Sequence, residues 1–133
     1  MTIVVPVRFV FDSSAWIEYL RGTPAGKTVA AILENEKSVV LTPNIVAAEV
    51  ISKMTREHGP VAESIESISN QSIPPLETRH DYFLAGQLHA ELRTKMKNIS
   101  LADAVILTLA EKNSARIVTK DRHLKGKNTV FIG

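Results

Sequence analysis

The chain of 133 residues contains no cysteine, which excludes disulfides, thiol catalysis and thiolate metal sites. Aromatic residues are scarce at 5%, and the four histidines stand at spacings that fit no zinc-binding motif. No apolar run approaches the length of a membrane span, and the first residues lack the basic lead and apolar stretch of a secretory signal. We therefore expect a cytoplasmic protein that does not associate with membranes.

The composition of the chain is that of an ordinary soluble domain. An apolar fraction of 44% and a charged fraction of 23% are typical of globular proteins, and the length suffices to bury a sizeable core. No repeat or linker divides the chain, so residues 1–133 are predicted to form a single domain. The net charge of +2 and the pI near 9.0 are a weak hint of a polyanionic partner.

Strand and helix signals alternate along the sequence. This alternation predicts a three-layer α/β/α fold, in which a central parallel sheet of about four to five strands is covered by helices on both faces. The crossovers between parallel strands are expected to be right-handed. The predicted strands cover residues 7–11, residues 38–41, the apolar run before Asp121, and residues 129–132.

Capping signals predict where several helices begin. Ser13 or Ser14 is expected to cap a short helix over 15–20, which Gly22 ends. Thr42 followed by Pro43 is typical of a helix start. The remaining predictions are helices over 27–36 and 61–69, the latter with Ile65 and Ile68 inward, and a long helix behind the capping-box pair Thr78 and Asp81, with an apolar stripe of Leu84, Leu88, Leu92 and Met96.

Four acidic residues fall where strands give way to helices or near helix starts, namely Asp12, Glu49, Asp103 and Asp121. In an open parallel sheet, the carboxyl ends of the strands form the binding crevice. Two unit charges 4 Å apart repel by roughly 4 kcal/mol at an effective dielectric constant of 20. A divalent cation relieves that repulsion, and carboxylate oxygens are ligands that Mg²⁺ and Mn²⁺ prefer. The four residues therefore predict a metal site.

Each of these acids also has a structural explanation. Asp12 could cap the first helix, Asp103 could form a capping box with Ser100, and Asp121 could be a turn residue. Glu49 is beyond capping range and borders an apolar stripe, so its burial without a partner would be costly. The joint placement of the four acids favours the metal site over four separate structural roles.

Four segments of the sequence resemble the signature segments of the PIN domain family, most closely those of its VapC-type ribonuclease toxins. They are DSSAWI at 12–17, TPNIVAAEV at 42–50, SLADAVI at 100–106 and VTKDRHL at 118–124. The resemblance extends over the whole chain, with the segments in the family's order. It implies a PIN-like fold and an endoribonuclease that hydrolyses RNA phosphodiester bonds with Mg²⁺ or Mn²⁺.

The resemblance also implies roles for individual residues. The expected catalytic and metal-binding residues are the matches to the family's acidic positions, Asp12, Glu49, Asp103 and Asp121. The expected supporting residues are the hydroxyl-bearing Ser14 and Thr119. The sequence departs from the family after Asp121: many relatives carry another acid and an aromatic residue there, whereas this chain has Arg122, His123 and Leu124. The presence of a second metal ion is left open by this difference.

The expected partners are RNA, a second copy of the chain and an inhibitor. Basic residues near the last acid are predicted to contact RNA phosphates, namely Lys120, Arg122, Lys125 and Lys127. The resemblance implies a homodimer inhibited by a small VapB-type antitoxin, which could place an Arg or Lys among the four acids. Trp16, Ile17 and Leu20 could form part of an apolar interaction surface or belong to the core.

Three other functions are alternatives to the toxin. A phosphoacceptor receiver domain also clusters acids at strand ends, but it needs an acidic pair at the first strand, where only Asp12 is present. A catalytically idle binding module is disfavoured because like charges in one pocket destabilise a fold without a use for them. A housekeeping RNA-processing nuclease of the same fold is the closest alternative.

Overall fold

The structure is a computed structural model that describes residues 5–126 and 128–133. Within these residues, four strands form one parallel sheet: Val7–Phe11 (β1), Ser38–Leu41 (β2), Arg116–Thr119 (β3) and Thr129–Phe131 (β4). The same residues contain six helices: Ser13–Arg21 (α1), Pro24–Glu34 (α2), Asn44–Arg56 (α3), Val61–Gln71 (α4), Arg79–Arg93 (α5) and Leu101–Lys112 (α6). The predicted α/β class with a central parallel sheet is confirmed.

The order of the strands places a crevice next to β1. The sheet order is β2-β1-β3-β4, so the chain moves from β1 to β2 on one side and later returns to β3 on the other. Such a reversal leaves an open crevice at the carboxyl ends of the two strands that flank it. Asp12 directly follows β1, and Asp121 comes two residues after the end of β3. The topology therefore brings both acids to one edge of the sheet.

Helix α1 begins two positions earlier than the sequence indicated, at Ser13 rather than Ala15, because Asp12 caps it. The Oδ1 atom of Asp12 accepts a hydrogen bond from the backbone N–H of Ala15 at 2.9 Å, so neither Ser13 nor Ser14 is the cap. Gly22 ends the helix as predicted, in the left-handed conformation at a φ of 67°.

The prediction that Thr42 caps α3 is wrong. Its hydroxyl instead accepts a hydrogen bond from Trp16 Nε1 at 2.9 Å and donates one to Ser72 Oγ at 2.8 Å. The residue before α3 is Pro43, which offers no side-chain cap, and the carboxylate of Glu77 accepts a bond from the Asn44 N–H. Tertiary partners far along the chain thus replace the local cap.

Other helix predictions differ in detail. Helix α2 begins at Pro24 rather than Lys27, because Thr23 caps it and proline is well suited to the first helical position. Ile65 is 48% exposed, so the prediction that it points inward is wrong. In the predicted apolar stripe of α5, Leu84 is 43% exposed and Met96 lies beyond the end of the helix.

The side chain of Trp16 lies in the core and does not contribute to an exposed apolar surface. It is fully buried, its ring centroid lies 5.2 Å from that of Phe11, and Ile17 beside it is also buried.

Helices α1 and α2 approach each other closely at Gly26. A Cβ at that position would lie 2.2 Å from the carbonyl oxygen of Glu18, so only glycine lets α2 pack this tightly against α1.

Helix α6 is held in place by both ends. At its start, Ser100 and Asp103 form the capping box that was the alternative role for Asp103, and α5 begins with the predicted capping box of Thr78 and Asp81. At its other end, the Lys112 ammonium lies 2.6 Å from the Asp81 carboxylate and lowers the pKa of that carboxyl to about 2.

Across the described residues, no helix is both long and apolar enough to cross a membrane.

Candidate active site

The carboxylate of Asp12 is buried and fixed at both oxygens. Its Oδ1 accepts hydrogen bonds from Ser14 Oγ at 2.6 Å and from the Ala15 N–H, and its Oδ2 accepts one from Thr119 Oγ1. Only 4% of the residue is exposed. Ser14 and Thr119, the two hydroxyl residues that the family resemblance singled out, are therefore the side chains that orient Asp12.

The hydroxyl of Thr119 connects Asp12 with the segment that carries Asp121. It donates to Asp12 and accepts a hydrogen bond from the Asp121 N–H at 2.9 Å. The Asp121 carboxylate accepts a bond from the His123 N–H at 2.8 Å, which caps the short 3₁₀ turn 122–124. Asp121 thus has the turn role considered above, and it also lies close enough to Asp12 for its charge to act there.

Glu49 and Asp103 extend this region on two helices. Asp103 accepts a hydrogen bond from the Ser100 N–H through Oδ2 at 3.0 Å, as the capping-box explanation requires. Glu49 is exposed on α3, beyond the reach of any cap, and the charges of Asp103 and Asp12 both act on it. The structure therefore gathers the four acids in one region while three of them also cap helices or turns.

The pKa values of Asp12 and Glu49 are both raised in this arrangement. Burial raises the pKa of Asp12 despite the hydrogen bonds from Ser14, Thr119 and Ala15, and the charge of Asp121 raises it further. Glu49 is an exposed residue, yet partial desolvation of its carboxyl is the first cause of its raised pKa, followed by the charges of Asp103 and Asp12. Among the described residues, no positive charge acts on either carboxyl to offset these effects.

The donor set fits a hard divalent cation by its chemistry. Among residues 5–126 and 128–133, no three Asp, Glu or His side chains are close enough together to hold a metal ion as they stand. Mg²⁺, however, is usually bound through one or two carboxylates and keeps several water ligands, so a closed cage of protein ligands is not needed. A cation would also offset the burial that is the main cause of the raised pKa values of Asp12 and Glu49, and the repulsion that adds to it.

The predicted RNA-binding residues differ in their surroundings. Lys120 Nζ lies 2.7 Å from the buried carboxylate of Glu18, and Lys125 Nζ lies over the ring of Phe131, 4.8 Å from its centroid. Arg122 is exposed on the 3₁₀ turn. Lys127, the fourth residue of the prediction, lies outside the described residues.

Sequence reasoning did not single out Glu18, Arg21 or Lys53, which line a pocket beside the acids. Lys53 is four residues after Glu49 on α3, and Glu18 is four residues after Ser14 on α1. The one available signal was this helical spacing, because residues four apart lie on the same helix face. The spacing identifies Glu18 and Lys53 only once the structure shows that Ser14 and Glu49 lie at the site.

Comparisons with solved structures agree with this description of the fold. The chain is similar to the Mycobacterium tuberculosis toxin VapC20, described as cleaving the sarcin-ricin loop (TM-score 0.66, 20% identity, 81% of this chain and 85% of that one). It is also similar to a chain of a toxin–antitoxin complex from Klebsiella pneumoniae (TM-score 0.66, 20% identity, 93% of this chain and 97% of that one). A chain of VapBC-1 from nontypeable Haemophilus influenzae is similar too (TM-score 0.67, 16% identity, 95% of this chain and 98% of that one).

No curated protein matches the chain by sequence. The sequence profile of the PIN domain, in contrast, matches residues 9–128, a range that includes all four acids, β2, β3 and all but the first two residues of β1. Because this match spans nearly the whole chain and the observed sheet carries the acids at its carboxyl edge, the protein belongs to the PIN domain family.

Proposed function

We propose that this protein is a Mg²⁺- or Mn²⁺-dependent endoribonuclease, and that it is the toxin of a VapBC-type toxin–antitoxin pair. The observation that carries the proposal is the carboxylate of Asp12. It is buried at the carboxyl edge of the sheet, held at both oxygens and close enough to Asp121 and Glu49 for their charges to interact with its own. Such an arrangement costs folding energy in the absence of a cation and suits a reaction centre for phosphodiesters.

Each residue has a defined task in this proposal. Asp12, Asp103 and Asp121, with Glu49 at the open side, would hold the cation, which when bound supplies Lewis-acid activation of the scissile phosphate and of water. Ser14 and Thr119 keep both oxygens of Asp12 in position. The exposed carboxylate of Glu49 can orient the attacking water and accept its proton. In-line attack by water would leave a 5′-phosphate and a 3′-hydroxyl.

The choice of RNA and of a toxin role is supported by the comparisons. Family membership supports a nuclease, and solved structures of similar fold include a toxin that cleaves the sarcin-ricin loop and several toxin–antitoxin complexes. The chemistry itself needs no 2′-hydroxyl, so RNA is proposed by analogy with these proteins.

The purified protein should cleave single-stranded or loop RNA with Mn²⁺ or Mg²⁺, and EDTA should abolish the cleavage. RNA left intact in the presence of both metals would contradict the proposal.

Metal binding should stabilise the folded protein in a pH-dependent way. A metal concentration ten times the Kd would add about 1.4 kcal/mol to the free energy of unfolding, or a few degrees of Tm. Because the pKa values of Asp12 and Glu49 are raised, these carboxyls keep their protons to higher pH, and metal must displace them at low pH. The Mn²⁺-induced rise in Tm should therefore be larger at pH 8 than at pH 5.

The stability of the metal-free protein should change with pH in the opposite direction and fall as pH rises. A raised pKa in the folded state means that the stabilisation from protonated Asp12 and Glu49 is complete below their unfolded pKa values and is lost as pH rises through the folded ones. Thermal melts with and without Mn²⁺ at both pH values test this. In an Asp12→Asn/Asp103→Asn double variant, Mn²⁺ should leave the Tm unchanged. An equal Mn²⁺ response in this variant and the parent would disprove the site.

A homodimer and an antitoxin partner belong to the same proposal. The buried Trp16 and Ile17 do not supply their interface, contrary to the alternative considered from the sequence. Large apolar side chains are exposed instead between positions 76 and 84, where Leu76 is 74% and Phe83 64% exposed. This stretch of α5 and the segment before it is our candidate for a protein–protein surface. An Arg of the antitoxin could pair with the acids in place of the metal.

Expression of the protein alone should therefore be toxic to a bacterial host. Co-expression with the product of a small reading frame immediately upstream should relieve the toxicity, and so should Asp103→Asn in the absence of that partner. Colony counts after induction provide the measurement. If the wild-type protein is harmless alone and no upstream product co-purifies with it, the housekeeping nuclease replaces the toxin as the preferred function.

A further inference from the structure

A small basic pocket lies next to the four acids. Its volume is about 260 Å³, and its polar lining comes from α1, α3 and the residue after β3. The pocket lining contains three cations and one acid, unlike the neighbouring acidic region. The polar lining residues are Ser13, Ser14, Glu18, Arg21, Lys53 and Lys120.

The pocket and the acidic region share Ser14. The Ser14 hydroxyl donates to Asp12 at 2.6 Å and accepts a hydrogen bond from the Lys120 N–H at 2.8 Å. One side chain thus borders both regions. A chain-like ligand that places one group against Asp12 can extend directly into the pocket.

The two regions are one helical turn apart. Lys53 follows Glu49 by four residues on α3, and Glu18 follows Ser14 by four residues on α1. One turn of an α-helix advances by about 5.4 Å. That step is comparable with the distance between successive phosphates of an extended RNA strand, so the pocket stands one nucleotide away from the acids.

The cations of the pocket are available to an anion. Arg21 and Lys53 both contact the exposed carboxylate of Glu57, in ion pairs whose side chains are more than 40% exposed. Exposed ion pairs of this kind are weak and exchange readily for another anion. Glu18, in contrast, is buried, and its carboxylate pairs with the half-exposed Lys120 ammonium at 2.7 Å in the lining of the pocket.

We propose that this pocket binds the RNA phosphate adjacent to the scissile one, with Lys53 and Arg21 as its main contacts. The inference rests on the proposed ribonuclease function and adds a substrate subsite to it. Acids alone would repel the RNA backbone, because every phosphate carries a negative charge. Cations one nucleotide away offset that repulsion while leaving the scissile phosphate to the acidic region.

The first test measures the binding of fluorescently labelled single-stranded RNA by anisotropy over a series of salt concentrations. EDTA in the buffer prevents cleavage. Lys53→Gln should weaken RNA binding several-fold. The logarithm of the association constant falls as log[salt] rises, and the variant should make this fall less steep by about 0.7, the value for one lost contact to a single strand. Lys53→Arg should retain the parental slope. The control is Lys37→Gln, which removes the same charge at the opposite edge of the sheet and should change nothing.

The second test locates the phosphate. In an RNA that the enzyme cleaves at one site, each phosphate near that site is replaced in turn by an uncharged methylphosphonate. Replacement of one neighbouring phosphate should lower kcat/KM for the wild-type enzyme and have little further effect in Lys53→Gln. Equal losses in the two proteins at every position would overturn the inference while leaving the nuclease function intact.

Two other results separate the possible explanations. If wild-type protein cleaves no RNA with either metal, the proposed function fails, and the subsite fails with it. If Lys53→Gln binds and cleaves RNA as the parent does but no longer retains its protein partner, the pocket recognises an acidic segment of that partner, and the RNA subsite is wrong.

Discussion

Asp12→Asn should lower the rate of RNA cleavage by on the order of 10²–10³-fold, the loss typical of removing one preorganised electrostatic contact at a reaction centre. The change removes one negative charge from the residue that is buried deepest of the four acids. It should leave the fold intact, because asparagine caps helices as well as aspartate does, and the Ser14 and Thr119 hydroxyls can still bond its side chain. Initial rates with labelled RNA and Mn²⁺ provide the measurement.

Asp103→Asn should cause a loss of similar size, with far-ultraviolet circular dichroism unchanged. Glu36→Gln is the matched control, because it removes one exposed carboxylate between α2 and β2, at the amino edge of the sheet. This control should cleave RNA at the parental rate. An Asp12→Asn protein that is as active as the Glu36→Gln protein would exclude the four acids as the reaction centre.

Trp16→Ala should destabilise the protein by about 3–5 kcal/mol, the range for truncating a large aromatic side chain in a core. Trp16 is fully buried, packs on Phe11 and donates a hydrogen bond to Thr42. Since small domains are stable by only about 5–15 kcal/mol, the variant should lose much of its stability. Urea unfolding followed by circular dichroism gives the difference in free energy.

Trp16→Phe provides a graded version of the same test in case Trp16→Ala does not fold. It should cost less, since the ring is retained while the bond to Thr42 is lost. Ile65→Ala truncates an apolar residue that is 48% exposed on α4, outside the candidate protein–protein surface, and it should change the free energy of unfolding by no more than about 0.5 kcal/mol. Similar midpoints for Trp16→Ala and Ile65→Ala would contradict the assignment of Trp16 to the core.

The local features of the fold were readable because each depends on neighbouring residues. Strands β1 and β2 follow from short apolar runs, and the starts of α5 and α6 follow from capping boxes whose partners are three residues apart. The candidate acids were found in the same way, since each follows a strand or lies near a helix start.

The predictions that failed concern residues with partners far along the chain. Thr42 has the sequence of a helix cap, but Trp16 and Ser72 engage its hydroxyl in the folded protein. Ile65 has helical spacing with Ile68, yet its side chain is exposed, because periodicity does not reveal how much of a helix the neighbouring elements cover.

The sequence by itself determined the α/β class and the family and pointed to the four candidate acids, because these are encoded in local patterns and in the order of short segments. Only the tertiary structure decided which groups surround those acids. The reversal of strand order beside β1 brings Thr119 to Asp12, and the packing of α1 against α3 brings Arg21 and Lys53 to the same pocket beside Ser14. Such contacts depend on the pairing of distant strands and helices, which no local pattern specifies.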